Sequence, residues 1–68
     1  MNRYQAKTER IGQWVRANRL RLGWTQAELA QRIQCNDAQI SNYESGRFRP
    51  RMDRLIQMAQ LFNTELPT

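Results

Sequence analysis

The chain contains no histidine and a single cysteine, Cys35. Without histidine it has neither an imidazole base nor an imidazole metal ligand. One thiol closes no intrachain disulfide and makes no cysteine zinc site; a lone cysteine suits a reducing, intracellular compartment. No apolar run approaches the roughly 18 residues that a membrane-spanning helix needs. The first ten residues are polar and include Glu9, which is not the pattern of a secretory signal. Glycine is confined to Gly12, Gly23 and Gly46, and proline to Pro50 and Pro67. There is no internal repeat and no low-complexity tract. No nucleophile–base pair and no metal-ligand set is present, so no enzyme and no cofactor is expected.

What is present is 68 residues with a formal charge of +5 and a pI near 10.7. That length makes one small domain with a limited core. The charge favours an anionic partner, nucleic acid or an anionic membrane. The same charge also serves simply to keep a small protein soluble.

Apolar spacing and capping residues divide the chain into four helical segments. The first spans 8–22, with Thr8 as a candidate N-cap followed by Glu9. Ile11, Trp14, Val15 and Leu22 recur at helical spacing. Arg16, Arg19 and Arg21 lie toward its C-terminal end, where cations suit the dipole, and Gly23 closes it. Residues 1–7 read as a frayed arm or an extra helical turn; Arg3 and Lys7 there could touch phosphate.

The second segment, 26–33, opens on a capping box, Thr25-Gln-Ala-Glu28, with Trp24 and Leu29 spaced as a hydrophobic staple. Leu29, Ala30 and Ile33 form its inward face. The third, 37–44, opens on Asn36, with Gln39 placed for a second box and Cys35 and Ile40 at staple spacing. Ile40 and Tyr43 turn inward, and Gly46 ends it. The 47–50 stretch is a loop, because Pro50 disfavours helix just before it. The fourth segment, 51–62, carries Met52, Leu55, Ile56, Ala59 and Phe62 on its apolar rhythm, and Asn63 can take the left-handed stop. Residues 65–68 could begin another helix. No segment alternates convincingly as a strand. The chain is therefore expected to be all-α, a compact bundle of four to five helices.

The pieces IGQWVRANR, GWTQAELAQRI, AQISNYESGRFRP and LIQMAQLF resemble the lambda-repressor-like helix-turn-helix family, which includes phage repressors, Cro proteins and Xre-type bacterial regulators. The resemblance covers about 11–66, and TQAELA followed by IS-x-YE-x-G is its specific part. It implies a DNA-binding domain over 8–68 in which the third helix enters the major groove and the second lies across the backbone. Base-reading positions fall on Asp37, Ala38, Ser41 and Asn42. Backbone-contacting positions fall on Gln26, Gln39, Arg47, Arg49 and Arg51, the last able to reach the minor groove. Arg19 and Glu44 match an internal salt bridge. Two features depart from the family. Gln34 stands where relatives usually have glycine. A fifth helix beyond Leu66, often part of the dimer contact, is truncated or absent. Either the dimer forms otherwise, or it forms only on DNA, or the sequence is a fragment of a longer protein.

The residue chemistry supports these positions unevenly. Asn42 can bond adenine through two contacts, Ser41 can bond several bases, and Ala38 can meet a thymine methyl. Each is also compatible with an ordinary solvated position. Asp37 can accept from cytosine, stabilise the helix start, or orient Gln26 across the helix pair. Arg47, Arg49 and Arg51 cluster beside the reading helix. Phe48 among them could stack, join a dimer contact or cover the core edge. Arg10, Arg16, Arg21, Arg32 and Arg54 read as surface charges. Trp14, Trp24 and Tyr43 read as core rather than base-stacking residues. Cys35 reads as a buried, inert staple rather than a redox switch.

The resulting expectation is a sequence-specific double-stranded DNA-binding regulator, a repressor by default, working in the cytoplasm at the nucleoid of a bacterium or a phage-infected host. A homodimer would read a pseudo-palindromic operator with half-sites about 34 Å apart or a multiple of that. The alternatives are an antitoxin or restriction-controller regulator of the same fold, or a protein-interaction module that retains it.

Overall fold

A computed structural model describes residues 5–68. Arg3, a candidate phosphate contact in the arm, lies outside them. The elements are α1 (Thr8–Arg21), α2 (Gln26–Arg32), α3 (Asp37–Glu44) and α4 (Met52–Phe62), with no strand among the described residues. Among the described residues no helix is long and apolar enough to cross a membrane.

Two expected starts move by one residue. Thr8 is the first helical residue of α1 rather than its cap. Lys7 takes the cap position without a side-chain bond, its carbonyl already accepting from Ile11 N at 2.9 Å. Arg51 likewise caps α4 from an extended backbone, φ −68° and ψ 160°, instead of opening the helix. Ahead of α1, Ala6 is buried and its carbonyl accepts from Arg49, so this part of the arm is anchored.

All four helices stop in the same way. Gly23, Gln34, Gly46 and Asn63 have φ between 55° and 77°. Each left-handed residue donates to the carbonyl three residues back, and its successor donates to the carbonyl five back. The pairs are Gly23 to Leu20 with Trp24 to Arg19, and Gln34 to Gln31 with Cys35 to Ala30. At the other two ends they are Gly46 to Tyr43 with Arg47 to Asn42, and Asn63 to Gln60 with Thr64 to Ala59. This double bond satisfies carbonyls that a helix end otherwise leaves open. Two of these stops use a residue with a side chain, at a steric cost that glycine avoids.

The core gathers Ile11, Val15, Leu29, Ile33, Ile40, Tyr43, Leu55, Met58 and Phe62, with α3 packed against both α1 and α2. Trp14 and Trp24 are half-buried at its edge, where Phe62 meets the Trp14 ring edge-on at 5.2 Å. The inward stripe of α4 is Leu55, Met58, Ala59 and Phe62. Met52 and Ile56, expected on that stripe, are 42% and 43% exposed. At 3.6 residues per turn, Ile56 lies about 100° round the helix from Leu55, and Met52 sits in the opening turn. Residues 65–68 form no helix. They return along α1, with the Trp14 indole donating to Glu65 O at 3.2 Å and Arg10 Nε to Thr68 O at 3.0 Å.

Candidate nucleic-acid interface

The capping box at α2 is complete. Glu28 N donates to Thr25 Oγ1 at 3.0 Å, and Thr25 N donates to Glu28 Oε1 at 2.8 Å. These bonds from Thr25, assisted by Arg32, hold the Glu28 carboxyl below the usual carboxylate range. At α3 only half of the expected second box forms. Asn36 Oδ1 accepts from Gln39 N at 2.8 Å, but the Gln39 amide turns along the helix and donates to Tyr43 Oη at 3.0 Å. Residues 39 and 43 are one helical turn apart, so that bond competes with the reach back to Asn36.

Between the two helices, Gln34 holds φ at 62°. The left-handed turn is therefore kept despite the side chain. Cys35 beyond it is half-buried, packed on the core, rather than fully buried.

The C-terminal end of α3 is fixed to the rest of the molecule through Glu44. Its carboxylate takes Arg19 Nε at 2.6 Å and Nη2 at 3.1 Å, while Arg19 Nη1 donates to Trp24 O at 2.9 Å. The two side chains are only 10% and 4% exposed. The Glu44 hydrogen bond raises the already high pKa of Arg19, against the opposing effect of burial. Gln26 Nε2 also donates to Glu44 Oε1, at 3.1 Å. The start of α2 is thus oriented by Glu44, not by Asp37. One N–H of the Gln26 amide is spent inside the protein, and the other remains a donor.

Gly12 is the residue that sequence reasoning missed. Buried in α1, it lies against the carbonyls of Tyr43 and Glu44, and a Cβ there would stand 2.8 Å from Glu44 O. The available signal was its cost. A glycine inside a helix gives up about 1 kcal/mol relative to alanine, so a packing reason is to be sought.

With α3 held this way, Asp37, Ala38 and Ser41 are exposed and Asn42 is half-buried. Residues 38 and 42 are one turn apart and share a face. The Asn42 carbonyl accepts from both Arg47 N and Phe48 N, at 3.0 and 3.3 Å, which ties the following loop to the helix. Arg47 and Arg51 are exposed beside it. Arg49 is exposed too, but its guanidinium is engaged with Ala6 O. Gln39 is half-buried against Tyr43.

Several arginines read as surface charges have structural partners. Arg21 donates to Phe62 O at 2.8 Å and Arg54 to Ile33 O at 2.9 Å, each at a helix end. Arg32 lies over the Trp24 ring at 4.2 Å. Among the described residues no group of three or more cysteine or carboxylate side chains is placed to hold a metal ion.

Comparison with known proteins gives a consistent architecture. A helix-turn-helix family model matches residues 15–68. The restriction-modification controller protein C.AhdI from Aeromonas hydrophila superposes with a TM-score of 0.77 at 21% identity, covering 85% of this chain and 84% of that one. PlcR of Bacillus thuringiensis, solved in complex with the peptide PapR7 and DNA, gives 0.73 at 32% identity, covering 84% of this chain but only 20% of that one. A chain of the HipA-HipB-O2-O3 complex gives 0.70 at 22% identity, covering 98% and 94%. At 21% and 22% identity, the likeness to C.AhdI and to the HipA-HipB-O2-O3 chain is one of fold. No curated protein sequence matches the chain.

Proposed function

The chain belongs to the helix-turn-helix family in its Cro-type, Xre-like form and is a non-enzymatic DNA-binding transcription regulator, and from that premise we propose that it reads a specific duplex sequence by laying α3 in the major groove. The observation that carries this reading is the continuity of one surface. The exposed stripe of α3 runs directly into a loop bearing Arg47 and Arg51, and that loop is hydrogen-bonded to the Asn42 carbonyl.

In this reading Asn42, Ser41 and Ala38 meet base edges, Asn42 by a paired contact to adenine and Ala38 by a thymine methyl. Asp37 stands in the first turn of α3, where its charge suits the helix dipole, and it is the weakest of the four as a base contact because it faces phosphate repulsion. Arg47 and Arg51 neutralise phosphates, with Gln26 and Gln39 as neutral donors and Arg49 beside the anchored arm. The similarity to a segment of PlcR, a protein solved in complex with DNA, supports DNA as the partner.

The regulator acts as a repressor, as a homodimer on a pseudo-palindrome whose half-sites are about one helical turn, 34 Å, or a multiple apart. Selection of bound sequences from a random duplex pool tests this. A palindromic consensus with that spacing is the expected result. A pool that shows no enrichment overturns groove reading and leaves the fold serving protein interaction.

A further inference from the structure

The segment between α3 and α4 presents Arg47 and Arg51, and it is fastened to α3, to α1 and to the arm ahead of α1. Its near half is tied to α3, where the Asn42 carbonyl takes Arg47 N at 3.0 Å and Phe48 N at 3.3 Å. Its turn lies on α1. A Cβ on Gly46 would stand 3.4 Å from Glu9 Cγ, so a side chain in the first turn of α1 packs against that glycine. Its far half is tied to the arm, where Arg49 Nη1 donates to Ala6 O, 43 residues away in sequence. We propose that Arg49 is a positioning residue rather than a phosphate contact. It locks the loop to the arm and so pre-sets Arg47 and Arg51 for the DNA backbone.

The argument starts from Ala6. It sits ahead of the Lys7 cap, outside the helix, yet it is 7% exposed and belongs to the core cluster. A buried carbonyl needs a donor, and Arg49 supplies a charged one. The anchor is thus held on both sides, its methyl by the core and its carbonyl by a guanidinium. Pro50, next to Arg49, is buried and has no N–H to give. Beside it the chain is fastened through a side chain, that of Arg49.

The consequence for binding is one of order. Loops are more mobile than the elements they connect. Ordering a rotamer-rich side chain on binding lowers affinity by roughly two- to tenfold. A loop already set in place reduces that loss for Arg47 and Arg51. Arg47, Arg49 and Arg51 therefore carry the same charge in different roles. Two are directed at phosphate, and the one between them is turned onto the arm. The arm joins the DNA-binding apparatus without touching DNA. The inference rests on the groove reading above, because that reading places the loop beside the duplex.

The test uses the duplex recovered by selection, with folded fractions matched by circular dichroism. A synthetic chain joined at Gln34–Cys35 carries an ester in place of the Ala6–Lys7 amide. The ester keeps every charged side chain and weakens the Ala6 carbonyl as an acceptor. It is expected to lower affinity for the duplex by about threefold, and Arg49→Gln by about fivefold. The ester placed in Arg49→Gln should add less than about 1.5-fold, because the partner is already gone. Arg49→Gln should leave the salt slope within about half a unit of wild type, since Arg47 and Arg51 still neutralise their phosphates once bound. An ester without effect, beside an Arg49→Gln that cuts the salt slope by about one unit, makes Arg49 a phosphate contact and overturns the brace. Unchanged affinity in both, with a lower Tm, overturns it too and leaves the bond serving stability alone. In either case loss of discrimination in Asn42→Ala still upholds groove reading. A pool that enriches nothing removes that reading and the brace together.

Discussion

Gly12 and Glu44 touch through the backbone: the α-carbon of Gly12 lies so near that a Cβ on it would stand 2.8 Å from Glu44 O. α1 therefore meets the C-terminal end of α3 with no side chain between them. The same residue, Glu44, uses its carboxylate to hold Arg19 of α1 and Gln26 of α2. The orientation of α3 is set at its C-terminal end, where Glu44 is anchored.

Gly12→Ala should destabilise the protein even though alanine is the better helix former. The gain in propensity is about 1 kcal/mol. The clash is with two backbone carbonyls that cannot rotate away, and overpacking of this kind costs about 1–3 kcal/mol. Thermal unfolding should show a lower Tm. DNA affinity, measured where the variant is still folded, should fall as well because α3 is displaced.

Gln34→Gly should do the opposite. The left-handed backbone at Gln34 carries a steric cost of about 1–2 kcal/mol that glycine does not. A gain of about 1 kcal/mol should raise Tm by roughly 4–8 °C in a domain of this size. DNA affinity should not change, since the side chain is exposed and the turn geometry is kept. An unchanged or lower Tm would show that the Gln34 side chain contributes contacts of its own.

Breaking the Arg19–Glu44 pair from one side should be severe. Removing one member of a buried pair leaves the other charge uncompensated and costs about 3–5 kcal/mol, comparable to the whole stability of a small domain. Arg19→Lys should not rescue it. Lysine cannot supply the two parallel bonds to Glu44 and the third to Trp24 O. Urea unfolding of Arg19→Lys and Glu44→Gln should both give midpoints well below wild type.

The Glu28 cap predicts an acid-dependent part of stability. Bonds from Thr25 depress the folded-state pKa of Glu28. A group depressed on folding contributes stability that is fully present above its unfolded value, about 4.3, and is lost as pH falls through the lower folded value. Glu28→Gln keeps a capping side chain that does not titrate. Urea midpoints compared from neutral pH down to pH 3 should show wild type losing more than the variant across that window.

Asn42→Ala and Arg47→Ala should separate reading from grip. The first should cost about 1–3 kcal/mol on the selected duplex and little on random duplex. The second should weaken both similarly and reduce the salt slope by about one unit. Binding isotherms at several salt concentrations distinguish the two patterns. Equal behaviour of the two variants would contradict the proposed division of roles.

Much of this molecule was legible in its sequence because the signals are local. α3 occupies the residues that Asn36 and Gly46 mark out, and the Thr25–Glu28 box closes as its spacing requires. Such bonds join residues three to five apart, so the chain's own geometry decides them. The second box shows the limit. Asn36 caps α3, but the Gln39 side chain has a competing partner one turn on, and Tyr43 takes it.

What the sequence by itself determined was four helices, the stops of the first, third and fourth at Gly23, Gly46 and Asn63, the helix-turn-helix spacing and a basic loop after the third. What only the tertiary structure decided was which side chains are spent inside the protein. Arg49 goes to Ala6, Arg54 to Ile33, Arg21 to Phe62, and Gln26 to Glu44. Met58 enters the core in place of Ile56, and Gly12 becomes the point where two helices meet backbone to backbone. The physical reason is distance along the chain. A cap or a turn is settled within a few residues, whereas an arginine beside a helix end twenty or forty residues away is placed only once the helices have packed.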